Sequence, residues 1–215
     1  MIRRGLVIFD LDGTLLETAR ALVPAVEGAF GRLGLDPPAG EEICSFIGKP
    51  GSDFRTWIRR RSPAASADEL LAIIDELELR FVCERAALYP GVREMLSELR
   101  ESAEHLAICS NGSDPYVDTV LAAHDIAHFF DRVRHRMVPE DTKPLMVRGL
   151  LAQLGGRPAV VVGDRGEDVE AARENGLHAI AASYGYGSPG ELDGATAAVA
   201  SASELVTPVH RIIRG

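Results

Sequence analysis

Apolar positions change period several times along the chain, and each change marks an element. Gly5-Leu6-Val7-Ile8-Phe9 is a short, continuous, β-rich run, the pattern of a central parallel strand covered on both faces. Leu22, Val26, Phe30 and Leu33 then recur at three- and four-residue spacing and end at Gly34, which predicts a helix with Pro24 in its first turn. Residues 41–48 read as a short helix leading into Gly48-Lys49-Pro50-Gly51, and Ser62-Pro63 breaks the helix after it. Ser66 with Glu69 fits a capping box opening a long helix through Leu70, Ile74, Leu77 and Phe81. From about 17 to 86 the pattern is helical, with no convincing strand.

After Tyr89-Pro90-Gly91 the periods alternate. A helix is expected over 91–102, then the apolar run Leu106-Ala107-Ile108-Cys109 ending in Ser110-Asn111-Gly112. A helix over 114–124, a weaker strand near 133–138 and a helix over 144–154 closed by Gly155-Gly156 follow. Ala159-Val160-Val161-Val162 is a strong strand ending in Gly163-Asp164; a helix over 167–175 and a strand from His178 to Ala182 come next. Strands alternating with helices predict an α/β fold with a mainly parallel, Rossmann-like sheet. The helical stretch falls between the first and second strands, so the expected organisation is a core of residues 1–16 and 87–215 with an inserted all-helical cap, 17–86.

Composition narrows the function classes. The chain has 215 residues, 46% of them hydrophobic, enough to bury well over half of its unfolded surface. A net charge of -9 argues against a nucleic-acid surface, and Arg59-Arg60-Arg61 reads as a solvated helix face. No apolar stretch approaches the roughly 20 residues that span a bilayer, and the apolar run after Arg3-Arg4 is too short for a signal peptide. Cys44, Cys83 and Cys109 are scattered and odd in number, so no disulfide framework is expected and a cytoplasmic location is. Of 23 basic residues only Lys49 and Lys143 are lysines: either a tight anionic pocket requires a compact point charge rather than a planar guanidinium, or the two are exposed residues left by sampling.

Three predicted strands end in polar clusters: Asp10 with Asp12, Ser110-Asn111, and Asp164 with Asp168. A parallel sheet brings such ends to one edge, where open α/β folds build their sites. Lys143 lies on the segment before the fourth strand. Carboxylates so close repel unless a cation compensates, and oxygen donors of this kind suit Mg²⁺.

Asp10-Leu11-Asp12-Gly13-Thr14-Leu15, Ser110-Asn111, Lys143-Pro144 and Gly163-Asp164-Arg165-Gly166-Glu167-Asp168 resemble, in order, the four motifs of the haloacid dehalogenase-like hydrolase superfamily. The position of the helical insert resembles members with a cap between the first two motifs. Tyr89-Pro90-Gly91-Val92 and Gly185-Tyr186-Gly187-Ser188 resemble the phosphoglycolate phosphatase branch. The resemblance implies a Mg²⁺-dependent phosphomonoesterase acting on a small phosphorylated metabolite, and the sequence leaves monomer and homodimer both open. It implies Asp10 as nucleophile, forming an aspartyl-phosphate, and Asp12 as general acid and then base. Mg²⁺ would be held by Asp10, Asp164 and the backbone carbonyl of Asp12. Ser110, Asn111 and Lys143 would bind the phosphoryl group, Asp168 would orient the cluster by pairing with Lys143, and Lys49 would lie where related caps carry substrate-recognition residues.

Arg165 departs from the small hydroxyl residue many members carry there, and a second proline after Lys143 is missing. A β-phosphoglucomutase-like phosphomutase uses the same core. A phosphonatase would use a cap lysine, as Lys49 is, but Asp12 counts against it, as it does against a dehalogenase. Arg55 and Arg59 face either the cleft or solvent. His124 and His128 have i, i+4 spacing but no evident third metal ligand, and Cys109 is expected to fill the strand core.

Overall fold

Six parallel strands lie side by side in the order β3-β2-β1-β4-β5-β6: β1 Leu6–Phe9, β2 His105–Ser110, β3 Arg132–His135, β4 Ala159–Gly163, β5 His178–Ala182 and β6 Ala197–Val199. The structure is a computed structural model and describes residues 5–155 and 157–214; Arg3-Arg4 and Gly156 lie outside them. Alternation along the buried strands supplies both faces of the sheet. Val7, Phe9, Ile108, Val160 and Val162 pack into one core, and Leu6, Ile8, Ala107, Cys109 and Val161 into the other. Helices α5 (Val92–Ser102) and α9 (Val206–Arg214) cover the first face; α7 (Lys143–Leu154) and α8 (Gly166–Glu174) cover the second. β1 is central, with β2 and β3 to one side and β4, β5 and β6 to the other. Its carboxyl end is therefore where the strand order reverses, the crevice in which such sheets bind ligands.

Between β1 and α5 the described residues form helices α1 (Ala19–Arg32), α2 (Gly40–Cys44), α3 (Gly51–Arg61) and α4 (Ala67–Glu84). α1 lies along α4, burying Leu22, Val26 and Phe30 of one and Leu70, Ile74, Leu77 and Phe81 of the other. Helix α6 (Asp114–Ala123) follows β2.

Several expectations are corrected. Pro24 lies inside α1, not in its first turn, because the helix starts at Ala19, whose N–H donates to the Tyr186 hydroxyl at 2.9 Å. The buried face against α4 outweighs the one backbone bond that Pro24 forfeits. Ser66 makes no capping bond: its backbone is helical rather than extended, and its N–H closes a turn onto the Pro63 carbonyl. β3 ends at His135, so Arg136 has already left the strand expected to reach 138, and Lys143 opens α7 rather than lying on a connection. α6 stops before His124, and His128 sits in a separate 3₁₀ turn, so the two histidines share no helix. β6 and α9 have no counterpart in the periodicity reading.

Candidate active site

Asp10 is the first residue beyond β1, and its N–H donates to the Val162 carbonyl of β4 at 2.8 Å, which fixes it at the sheet edge. Its carboxylate is 2% exposed. Oδ1 accepts a hydrogen bond from Lys143 Nζ at 2.7 Å, and Oδ2 is buried with no hydrogen-bond partner. Lys143, 1% exposed at the start of α7, also places Nζ 2.7 Å from Asp168 Oδ1. Asp168, in the first turn of α8, accepts the Arg165 backbone N–H on its other oxygen at 3.0 Å, a local capping contact that holds the carboxylate toward Lys143. Asp164, just past β4, accepts the Tyr186 N–H at 2.7 Å. Asp10, Asp164 and Asp168 each offer an oxygen within 4.8 Å of the others.

Packing around this cluster is close. A side chain at Gly13 would overlap the Asp164 carboxylate, and its φ of 81° is itself a left-handed conformation. A Cβ at Gly163 would overlap Asp168.

The charge balance is unfavourable as it stands. Burial pushes the Asp10 carboxyl well above its usual range, Lys143 opposes the shift, and the neighbouring carboxylates of Asp168, Asp164 and Asp12 add to it. Burial, then Asp168, pushes Asp164 up to about 7. Burial alone would lower Lys143, but Asp10 and Asp168 outweigh it and hold the ammonium charged. Three buried carboxylates face one ammonium, and Asp10 Oδ2 has neither a hydrogen bond nor an ion-pair contact to it, so the donor set fits a divalent cation with a preference for oxygen.

That balance predicts a pH dependence. Asp164 binds its proton more tightly folded than unfolded, so without a divalent ion its contribution to stability falls as pH rises from about 4 to about 7. A divalent cation held here would bind the ionised folded form, so any increase in Tm on adding Mg²⁺ should be small at pH 5.5 and grow by several degrees by pH 8. Thermal unfolding with and without Mg²⁺ at those two pH values checks this; an increment that shrinks toward pH 8 contradicts it.

Asp12 points elsewhere. Its Oδ1 accepts hydrogen bonds from Thr18 Oγ1, at 2.6 Å, and from the Tyr116 hydroxyl of α6. Burial raises its carboxyl while both donors lower it. Its carboxylate is outside the acidic triad, whose third member is Asp168. Ser110 is fully buried at the end of β2, with Oγ accepting the Gly112 N–H at 3.0 Å. Asn111 donates through Nδ2 to the Gly48 carbonyl at 2.9 Å and to Glu167 at 2.7 Å, and its Oδ1 accepts the Arg136 guanidinium at 2.8 Å.

A cavity of about 380 Å³ opens beside Asp12 and Asn111, and Lys49 lines it from the helical insert. Arg55 also lines it, held by Asp75 at 2.9 and 3.0 Å, whereas Arg59 is exposed and paired with Asp68. Arg165, 3% exposed, donates to the Tyr186 carbonyl at 2.8 Å and to the Ser45 carbonyl at 3.4 Å, so it ties the sheet edge to the insert. Cys109 is buried in β2.

Of the residues singled out in sequence, Asp10, Asp164, Asp168 and Lys143 meet in one buried cluster. Asp12, Asn111 and Lys49 line the adjoining cavity, and Ser110 is covered. Thr18, Tyr116, Arg136 and Glu78 are not among the residues singled out in sequence, whereas Tyr186 is, in Gly185-Tyr186-Gly187-Ser188, without a role. Thr18 lies six residues beyond Asp12 in the same loop, which is a usable signal; Tyr116 and Glu78 arrive from distant helices with none.

The family description "haloacid dehalogenase-like hydrolase" matches residues 7–182. Phosphoglycolate phosphatase of Yersinia pseudotuberculosis is 30% identical over 190 residues, 84% of this chain and 81% of its own. Tyrosine-protein kinase PtkA of Mycobacterium tuberculosis is 28% identical over 186 residues; the match takes in 85% of this chain but only 63% of that relative's length. Among solved structures, a predicted phosphoglycolate phosphatase from Haemophilus somnus superimposes with a TM-score of 0.88 at 22% identity, covering 97% of this chain and 99% of that one, a likeness of fold. Mycobacterium tuberculosis PtkA superimposes with a TM-score of 0.76 at 26% identity, over 97% and 99%. Among the described residues no helix is long and apolar enough to cross a membrane.

Proposed function

Because the chain belongs to the haloacid dehalogenase-like hydrolases, we propose that it is a Mg²⁺-dependent phosphatase that cleaves small phosphomonoesters through an aspartyl-phosphate on Asp10. One observation carries this reading: Asp10 has one oxygen held by Lys143 at 2.7 Å and the other buried without a partner, at the edge where the strand order reverses. Most buried carboxylate oxygens are hydrogen-bonded, so this one supports a ligand at the site.

Asp10 and Asp164, with the Asp12 carbonyl, would hold the ion, and Asp168 completes the anionic set. Bound there, Mg²⁺ supplies positive charge that lets an anionic phosphate approach an anionic carboxylate. An Asp10 oxygen forms a bond to phosphorus as the bond to the ester oxygen breaks, and Asp12 gives its proton to that leaving oxygen. Burial raises Asp12 and so favours the protonated form this step needs. Water then attacks phosphorus and gives its proton to Asp12; inorganic phosphate leaves and Asp10 is restored. Lys143 holds Asp10 in place and offsets charge on the transferring group, Asn111 positions it, and Ser110 supports that loop. Residues 17–86 act as a cap whose closure excludes water, with Lys49 meeting the substrate.

Phosphate release from a panel of monophosphates, including phosphoglycolate and hexose phosphates, tests the reading. Release is expected with Mg²⁺ and should fall at least about a hundredfold in EDTA. Folded, Mg²⁺-loaded protein that releases no phosphate from any of them contradicts it.

A further inference from the structure

The cavity beside Asp12 is larger and more apolar than a two-carbon phosphate ester needs. Its 380 Å³ equals the liquid volume of roughly a dozen water molecules. Leu22, Phe46 and Phe54 wall it from the insert, and Met137, Val138 and Pro139 wall it from the loop after β3. Met137 and Val138 are 69% and 49% exposed, two of the three large apolar side chains that stand out in solvent among the described residues. Phe46 and Phe54 belong to an aromatic cluster with Trp57, the Phe46 and Trp57 ring centroids 4.7 Å apart. Apolar walls of this kind gain free energy when an apolar group covers them.

The polar groups along these walls are mostly committed. Arg55 is held by both oxygens of Asp75, and Arg136 binds the Asn111 side chain. Lys49, 5.6 Å from the centre of the Phe46 ring, stands over an aromatic face. Glu78, from α4, lines the cavity half-buried, and burial, then Asp12 and Asp75, push its carboxyl up to about 8, which favours the uncharged form. Among the described residues that line the cavity, Lys49 is the cation with no carboxylate partner, so a charged acid would find a single uncommitted positive group here.

Resting on the phosphatase reading above, we propose that the preferred substrate is a phosphomonoester whose leaving group carries a ring, seated between Phe46 and Phe54 of the insert and Met137 and Val138 of the core, with its phosphate toward Asp10. The apolar faces of the ring cover the two walls, and its polar substituents meet Lys49 and Glu78. Covering Met137 and Val138 links occupancy of the cavity to approach of the insert and the loop.

Ethyl phosphate and 2-phenylethyl phosphate leave through the same kind of primary alkoxide and differ only in the ring, so their hydrolysis isolates it. The kcat/KM ratio should favour the phenyl compound at least about tenfold. That preference should shrink at least threefold in Met137→Ser, which alters an exposed side chain, and in Phe46→Leu, which keeps bulk but removes the ring. A ratio near one, or phosphoglycolate preferred over the phenyl compound, overturns the proposal. Binding of 2-phenylethylphosphonate against ethylphosphonate, read by calorimetry, needs no turnover. Tighter phenyl binding without hydrolysis of either ester upholds the ring site and defeats the phosphatase reading. Equal phosphonate binding with equal ester hydrolysis does the reverse.

Discussion

If Asp10 is the nucleophile, Asp10→Asn is expected to release phosphate from no monoester, its turnover falling by at least about a thousandfold, because an amide would neither attack phosphorus nor store the phosphoryl group. The substitution keeps the shape of a side chain that is 2% exposed, and Lys143 Nζ still finds an oxygen to donate to. It also removes a buried charge that its surroundings resist, since burial and three other carboxylates all raise the Asp10 carboxyl. The variant is therefore expected to fold and to be at least as stable as wild type at pH 8, where the cost of ionising the carboxylate is fully felt. Phosphate release and Tm, measured together, check both halves. A folded variant with more than a few per cent of wild-type turnover would mean that another group makes the bond to phosphorus.

Lys143→Met should cost stability and activity together. Among the described residues the ammonium is the one basic group within hydrogen-bonding distance of Asp10 and Asp168, at 2.7 Å from each. Removing one member of a buried pair leaves uncompensated charge and typically costs about 3–5 kcal/mol. For a chain of this size that is a Tm lower by roughly 6–20 °C. The sign against pH follows from the carboxylates: without Lys143 they bind protons still more tightly when folded, so the loss should be larger at pH 8 than at pH 5. Turnover should fall by about a thousandfold or more even where the variant is fully folded, because the transferring group loses its fixed positive charge. Arg59→Met, which removes an exposed cation paired with Asp68, is the control and should change Tm by no more than a degree or two. Lys143→Met with near wild-type turnover would move the phosphate-binding role elsewhere.

The parallel sheet was legible because its central strands are buried on both faces and so read as continuous apolar runs, Leu6–Phe9 and Ala159–Val162 most plainly. β6 escaped because Ala197-Ala198-Val199 is three small residues at the sheet edge, with no run to detect. α9 escaped because it is short and polar residues interrupt its buried positions, Val209 and Ile213. The residues at the strand ends were legible through their order: Asp10, Asp164 and Asp168 meet because β1 and β4 are neighbours, and Lys143 reaches them from the first turn of α7. The cavity was not. Glu78, Tyr116, Arg136 and Met137 come from α4, α6 and the loop after β3, and only the folded arrangement makes them neighbours of Asp12. Pro24 and Ser66 show the limit of local rules: the burial of α1 against α4 sets where the helix starts, and the turn closed by Pro63 sets the backbone of Ser66.

The central claim is that phosphate passes through a covalent bond to Asp10. Borohydride reduces an acyl phosphate to an alcohol, so wild-type protein turning over a monophosphate with Mg²⁺ can be quenched with it and its peptides read by mass spectrometry. The account predicts homoserine in place of aspartate at position 10, dependent on substrate and absent at positions 12, 164 and 168. Active protein with no reduction at position 10, or with reduction at one of the other three, would contradict it.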